Sequence, residues 1–329
     1  RFGVAAVAPD RLGRRGRRSV VPPEDRPTAL DAGGTNAIGR MLGLLGDEWN
    51  LLILQQALMG AGRYSEFMSR LPISNSVLSK RLRMLVDQGL LTPDYATTAR
   101  SRSLWPALLS IWEWERVWVA EHDQRLPAMR HAQCGELFSP VLRCAVCTAP
   151  VGGDDLEFAV GPSGQWSRSA HSATTRRRSE SDATVRQAGL FPQTMAVLGN
   201  RWAAALLVAA FLGAGRFTDF QTQLAVPPSL LTERLQTFCD IGVLTAVPAG
   251  RSERSAYRLS PKGRALAGVL VTALQWAHRW FVAPDGPAIV LGHRGCAAPL
   301  TGELACDRCG NRLSGAQVDV TAVEAAGIP

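Results

Sequence analysis

Two stretches of the chain repeat one pattern of histidine and cysteine. HAQCGELFSPVLRCAVC runs from His131 to Cys147, and HRGCAAPLTGELACDRC runs from His293 to Cys309. Both read H-x2-C-x9-C-x2-C. Thiolate sulfur and imidazole nitrogen are the ligands that zinc prefers, and a structural site uses four of them in a tetrahedron. The pattern predicts two zinc ions per chain, one per repeat, with the ligands His131, Cys134, Cys144, Cys147 and His293, Cys296, Cys306, Cys309.

Four protein ligands leave no open coordination position, so the sequence predicts structural rather than catalytic sites. The alternative is a set of free cysteines beside a histidine at a helix end, where a cation suits the helix dipole. The seventh cysteine, Cys239, lies in an apolar helical context and is expected to be a buried small side chain. Short fixed spacings in a reducing cytosol favour metal ligation over disulfides, and no signal peptide is evident, so we expect a cytoplasmic protein.

The composition favours a globular protein that can bind a polyanion. The 329 residues are 46% hydrophobic, and 36 Lys and Arg against 28 Asp and Glu give a net charge of +8. A basic excess of this kind suits a nucleic acid but is weak evidence alone. The longest apolar run, from Trp202 to Gly215, is too short to cross a bilayer, so no membrane partner is expected.

The elements that must position the cysteines are themselves duplicated. Residues 45–92 align with residues 198–245 without a gap at an offset of 153, and 19 of 48 positions are identical. Farther along, Trp114 matches Trp276 at an offset of 162, so the second copy is nine residues longer in between. We expect a basic disordered tail (1–30), a first winged-helix domain (31–126), a first zinc module (127–158), a linker (159–187), a second winged-helix domain (188–284) and a second zinc module (285–320).

Each copy has the element order of a winged helix-turn-helix: helix, short helix, tight turn, amphipathic helix and strand. In copy 1 the third helix buries its leucines, and its outward face carries Asn75, Ser76, Ser79, Lys80 and Arg83. These side chains can reach phosphates and base edges in a major groove. The alternative is an ordinary capped and solvated helix. The corresponding face of copy 2 carries Ser229, Thr232 and Gln236, with Glu233 where copy 1 has Lys80.

The segments LGDEWNLLIL, GRYSEF and IS followed by VLSKRLRMLVDQGLL resemble the HxlR family of bacterial winged-helix transcriptional regulators. Copy 2 keeps Gly199, Trp202, Arg216, Phe220 and Arg234, and it adds YRLSPKGRAL, which is similar to the family's stretch after the wing. The resemblance implies a sequence-specific regulator that binds double-stranded DNA. It also implies pairing through the Trp-rich terminal helices, as a homodimer or as a pseudo-dimer within one chain. Basic residues at the wings are further candidate DNA contacts: Arg100, Arg102, Arg251 and Arg254.

The fold class expected is therefore mainly α with small β wings, in two winged helix-turn-helix copies, plus two small zinc-ribbon-like modules. Copy 1 passes almost directly from wing to helix, so its wing is expected to be short. Two other functions remain open: a protein-interaction module of the transcription machinery, and a thiol-responsive regulator that uses the zinc-site cysteines. No nucleophile–base or phosphate-loop motif is present, so an enzyme is not expected. The effector is left unknown.

Overall fold

The computed structural model describes residues 26–119, 126, 128–169, 191–199, 201–247 and 256–321. Most of the predicted tail, much of the predicted linker and the tip of the second wing, with Arg251 and Arg254, lie outside this part of the chain. The fold class expected from the sequence, mainly helical with small sheets, is confirmed.

Copy 1 contributes the first six helices. Their bounds are α1 Ala37–Leu45, α2 Glu48–Leu58, α3 Tyr64–Arg70, α4 Asn75–Asp87, α5 Ala99–Arg102 and α6 Trp105–Trp118. Four of them begin at a side chain that accepts a backbone N–H, which satisfies a donor left free in the first turn: Asn36 for α1, Asp47 for α2, Ser74 for α4 and Thr98 for α5. Between α4 and α5 the wing is a single bridge from Leu91 to Thr97, short as the sequence predicts.

Copy 2 repeats the order with a longer wing. Its helices are α8 Pro192–Leu198, α9 Arg201–Phe211, α10 Phe217–Leu224, α11 Pro228–Asp240, α12 Pro261–Ala265 and α13 Ala267–Trp280. The wing strands β5 Leu244–Val247 and β6 Ala256–Leu259 pair antiparallel. Thr98 and Ser260, which are equivalent at the offset of 162, cap the short helices α5 and α12. The nine extra residues of copy 2 therefore lengthen the wing alone.

The remaining elements lie before, between and after the winged helices. They are β1 Thr28–Ala29, β2 Ala128–His131, β3 Pro140–Cys144, β4 Leu156–Val160, α7 Trp166–Ser169, β7 Phe281–Val282, β8 Ile289–His293, β9 Ala298–Pro299, β10 Gly302–Cys306 and β11 Val318–Thr321, with 3-10 turns at Gly153–Asp155 and Gly315–Gln317. The expected linker at 159–187 begins too early, because Val160 ends β4 and α7 follows. Asn36 binds this segment: its amide donates to Ser163 O at 2.7 Å and to Ser169 Oγ at 2.8 Å.

The two copies meet through their long terminal helices. Helix α6 packs along α13, and α1 of copy 1 packs against α13 of copy 2. Equivalent tryptophans make equivalent bonds across this contact, since Trp114 Nε1 donates to Lys262 O at 3.0 Å and Trp276 Nε1 donates to Arg100 O at 2.9 Å. These contacts join one continuous buried apolar core that draws on both copies. The chain thus pairs its own halves about an approximate two-fold axis.

Strand pairing after the helices also runs between copies. Strand β3 pairs antiparallel with β10, and Leu142 faces Leu304 at the centre of the ladder. These two leucines are equivalent at the offset of 162, so the two-fold axis passes between them. Strand β2 pairs with β11, and β8 pairs with β4; the registers His131 to Val318 and His293 to Leu156 correspond under the same axis. Each of these three sheets therefore contains strands from both halves of the chain, unlike the wing sheet of copy 2.

Candidate metal centres and nucleic-acid interface

Two clusters of one histidine and three cysteines form where these strands end. The first cluster is His131, Cys134, Cys306 and Cys309, and the second cluster is Cys144, Cys147, His293 and Cys296. Within each cluster the four ligand atoms all lie within 4.8 Å of one another. Each cluster takes two ligands from copy 1 and two from copy 2. All six cysteines are free thiols rather than disulfides.

The spacing of the ligand atoms fits a tetrahedral metal ion. Metal–sulfur and metal–nitrogen bonds of about 2.3 and 2.0 Å place two sulfurs about 3.8 Å apart and a nitrogen about 3.5 Å from a sulfur. In the first cluster Cys134 Sγ lies 3.9 Å from Cys306 Sγ, and His131 Nδ1 lies 3.4 Å from Cys134 Sγ and from Cys309 Sγ.

The second cluster has the same geometry. Cys144 Sγ lies 3.9 Å from Cys296 Sγ, and His293 Nδ1 lies 3.4 Å from Cys147 Sγ and 3.2 Å from Cys296 Sγ. Both histidines are buried, with 0% and 3% of their surface exposed. The donor set and the distances in both clusters therefore fit a closed, four-coordinate metal site.

This grouping corrects the prediction that each repeat closes its own site. The nine-residue spacer is not a hairpin that returns the chain; it contains β3 in copy 1 and β10 in copy 2. A strand rises about 3.3 Å per residue, so Cys144 at the end of β3 lies about 13 Å from Pro140 at its start, which is too far for one metal ion to join ligands at the two ends of the strand. The antiparallel register then sets Cys306 opposite Pro140 and Gly302 opposite Cys144. The C-x2-C of one copy consequently reaches the H-x2-C of the other.

The cysteine turns supply backbone donors to the sulfurs. The N–H groups of Cys147 and Val146 point at Cys144 and lower the pKa of its thiol to about 7, although burial opposes the shift. At the equivalent position the N–H of Arg308 donates to Cys306 Sγ at 3.4 Å, but burial and the neighbouring thiols outweigh such bonds and raise the pKa of Cys306. Hydrogen bonds to the charged form favour it, so these turns stabilise the thiolate that a metal ion requires.

The outward face of α4 is open to solvent. All five residues named from the sequence, Asn75, Ser76, Ser79, Lys80 and Arg83, are exposed, while Leu78, Leu82 and Leu85 are buried. Among the described residues Lys80 and Arg83 have no ion-pair partner. The neighbouring Arg81 is instead bound to Asp47 at 2.5 Å and ties α4 to the start of α2.

Sequence reasoning missed Tyr64, which organises the start of this face. Its hydroxyl donates toward Asn75 O at 3.0 Å and Asn75 Oδ1 at 3.1 Å, and lies 3.1 Å from Ser79 Oγ. Copy 2 has Phe217 at the equivalent position, so it has no such hydroxyl. That difference between otherwise aligned copies is the signal that could have identified Tyr64.

The face of α11 in copy 2 is exposed but differs in charge. Thr232 Oγ1 donates to Pro228 O at 2.9 Å, and Gln236 Nε2 donates to Asp240 Oδ1 at 2.7 Å. Ser229 and Glu233 are also exposed. Glu233 therefore stands where copy 1 presents Lys80, while Asp240 matches Asp87 of copy 1. Two of the polar side chains of α11 are engaged within the helix.

One predicted DNA contact is wrong. Arg100 lies in α5 with 5% of its surface exposed, and its guanidinium donates to Gln88 O at 2.7 Å and to Thr28 Oγ1 at 2.9 Å. The same group lies 5.2 Å from the ring centre of Trp280. With the short wing, this position belongs to the interface between the copies rather than to an exposed loop. Arg102, two residues on, is exposed.

Comparison with known proteins agrees with this architecture. The family model described as HxlR-like helix-turn-helix matches residues 44–123 and 197–284, together just over half of the chain. The protein therefore belongs to the HxlR-like helix-turn-helix family and is a transcriptional regulator of that type. The match falls once on each copy, which is consistent with the tandem duplication inferred from the sequence.

Individual relatives carry similar descriptions. Proteins of Mycobacterium bovis and Mycobacterium tuberculosis, both described as uncharacterized HTH-type transcriptional regulators, are 32% identical over 127 residues, which are 38% of this chain and 80% of theirs. A crystal structure described as a transcription factor is 32% identical, with a TM-score of 0.37 over 42% of this chain and 98% of that one. A second, from Pseudomonas aeruginosa, is 27% identical, with a TM-score of 0.32 over 41% and 92%.

No helix in the described part of the chain combines the length and apolar character needed to span a membrane.

Proposed function

We propose that the protein is a sequence-specific DNA-binding regulator in which one chain supplies both DNA-binding domains that a dimer would provide. The observation that carries the proposal is the pairing of two winged helices, through α6 and α13, within a single polypeptide. A paired helix-turn-helix protein presents two recognition helices to successive turns of one face of DNA. Two half-sites about 10 base pairs apart are therefore expected.

Copy 1 is proposed to make most of the base-specific contacts with the operator DNA. The exposed face of α4 offers two cations without ion-pair partners in the described chain, Lys80 and Arg83, beside hydroxyl and amide groups held by Tyr64. Arginine and lysine bind guanine edges or phosphates, whereas a carboxylate near phosphates is unfavourable and at most accepts from cytosine. With Glu233 on α11 where copy 1 has Lys80, copy 2 is expected to contact DNA more through its wing, where Arg251, Arg254 and the exposed Arg258 follow one another.

The two clusters are proposed to hold one zinc ion each. Zinc accepts three thiolates and one imidazole in a tetrahedron, and the distances between ligand atoms support that geometry. With four protein ligands the ions have no open position, so their role is structural. Because every cluster draws on both copies, the residues around each zinc hold the two halves together rather than folding two separate modules.

Alanine substitution on the recognition helices tests the reading of DNA. Lys80→Ala with Arg83→Ala is expected to weaken binding to a selected operator, since each good base contact contributes about 1–3 kcal/mol. Glu233→Ala with Gln236→Ala, the equivalent positions of copy 2, is the matched control and is expected to leave affinity unchanged or raised. Gel shift and footprinting with both variants measure the difference.

Equal affinity and equal footprints for the Lys80/Arg83 variant and the unsubstituted protein would refute this assignment. In that case the acidic face of α11 favours a second function, in which copy 2 docks on a protein partner of the transcription machinery. Pull-down with the Glu233/Gln236 variant then distinguishes the two, because loss of a protein partner without loss of operator binding belongs only to the docking function.

A further inference from the structure

Two cavities occupy equivalent places in the two halves and differ in size. The copy-2 cavity lies among α1, α9 and α13 and has a volume of about 370 Å³. The copy-1 cavity lies among α2, α6 and the start of α8 and has a volume of about 130 Å³. Leu212 and Leu274 line the first, and their equivalents Met59 and Trp112 line the second. The duplicated fold thus provides its own comparison for one site.

Side-chain size explains the difference. Trp112 and Phe191 project into the copy-1 cavity, and the equivalent residues in the copy-2 cavity are Leu274 and Ile38. Helix α9 also carries Ala204 and Ala205, both lining the larger cavity, where α2 has leucines at the equivalent positions 51 and 52. Protein interiors are normally filled to the density of organic crystals, so substitutions that open one cavity and fill its twin indicate a site with an occupant.

The lining of the copy-2 cavity defines the chemistry of that occupant. None of the described residues that line it is charged, and most are aliphatic. Ser169 Oγ already receives the amide proton of Asn36. The indole nitrogen of Trp166 is fully buried, so an acceptor atom within the cavity does not reach it, and the tryptophan contributes apolar ring surface to the lining. The site therefore favours an uncharged apolar molecule.

We propose that the copy-2 cavity binds an uncharged, largely apolar small molecule. Its volume lies in the range of small-molecule pockets, which are mostly apolar with few polar groups that fix orientation. The cavity is bounded by α9 and α10 of the second winged helix and by α1 and α13 of the interface between copies. A ligand there contacts both the second winged helix and the interface between the copies, and it favours one arrangement of the two. Binding is independent of the proposed DNA-reading function, and only an effect on operator affinity rests on it.

Prodan, a neutral naphthalene with a ketone, is a suitable probe. The unsubstituted full chain is expected to bind one prodan per chain, with a rise in fluorescence. Leu274→Trp and Ile38→Phe each install the residue of the filled twin and are expected to lower affinity at least tenfold. Met59→Leu changes the copy-1 cavity instead and is expected to leave binding unchanged. Zinc content and circular dichroism of each variant verify folding.

Prodan binding that survives both filling variants, or that is absent from the unsubstituted chain, overturns the proposed site.

Discussion

Two double variants separate metal sites built between copies from sites built within them. Cys134→Ala with Cys306→Ala removes two ligands from the first cluster and none from the second. Cys134→Ala with Cys144→Ala removes one ligand from each. Both variants lose two cysteines, so they differ only in how the losses are distributed. The first variant is expected to keep one tightly bound zinc ion. The second is expected to keep no tightly bound ion, because both of its sites are weakened.

The size of the effect follows from four ligands per cluster. Structural zinc contributes about 10–16 kcal/mol to the folding of small zinc peptides, or roughly 2.5–4 kcal/mol for each of four ligands. Since 1.4 kcal/mol is a factor of ten, loss of one ligand is expected to weaken zinc binding by about 10²–10³-fold. Cys134→Ala with Cys144→Ala should therefore hold two weakened ions, while its counterpart holds one ion at full affinity.

Titration with a graded series of chelators, read through a zinc-sensitive dye, counts the ions and ranks their affinities. Native mass spectrometry gives the stoichiometry of each folded variant. The reverse result, one tight zinc in the Cys134/Cys144 variant and none in the Cys134/Cys306 variant, would refute pairing between copies. Iron–sulfur absorbance in the unsubstituted protein would refute zinc itself.

Three further perturbations have defined outcomes. Glu115 is buried and accepts the Thr194 N–H at 2.7 Å, and burial raises the pKa of its carboxyl in the folded state. The folded protein therefore loses stability as the pH rises from the unfolded pKa of 4.5 through the raised folded pKa. Glu115→Gln is therefore expected to unfold at higher urea than the unsubstituted protein at pH 8 but not at pH 4, and equal differences at both pH values contradict this. Trp276→Phe removes the indole donor to the carbonyl of Arg100, which Ser103 Oγ also reaches at 2.9 Å, and leaves space at a buried ring. It is expected to lower the free energy of unfolding by about 1–3 kcal/mol; a loss below 0.5 kcal/mol in urea titrations, roughly a surface effect, argues against a structural role for this residue. A protease site inserted at residue 175 is expected to leave the two fragments co-eluting after cleavage, and their separation without chelator or denaturant contradicts the interleaved sheets.

The helical part of the fold was predictable because its signals are local. Leucines at helical spacing, Ser74 as a cap and Gly89 as a stop all act within a few residues of the elements they define. The aligned copies extend this to the wing, where nine fewer residues predict a shorter loop. The exposed face of α4 was predictable for the same reason: the buried leucines determine which side faces outward.

The pairing of the metal ligands was not predictable from spacing. The two repeats are identical in pattern, so each C-x2-C is compatible with either H-x2-C. The choice is made by β3 and β10, which extend the chain between the two half-motifs and pair across the axis. Arg100 was misplaced for a related reason, because a basic residue near a wing gives no local indication that Trp280 of the other copy covers it.

The interleaved strands also have a consequence for dosage. A regulator assembled from separate subunits falls apart when it is scarce, and its occupancy of DNA then varies with the square of its concentration. Here the partner is covalently attached, so its effective concentration is independent of the amount of protein present. Operator occupancy should follow a simple hyperbola down to the lowest protein levels. Each half is also free to change without having to complement an identical copy of itself. A single chain can therefore carry two different winged helices in fixed one-to-one proportion.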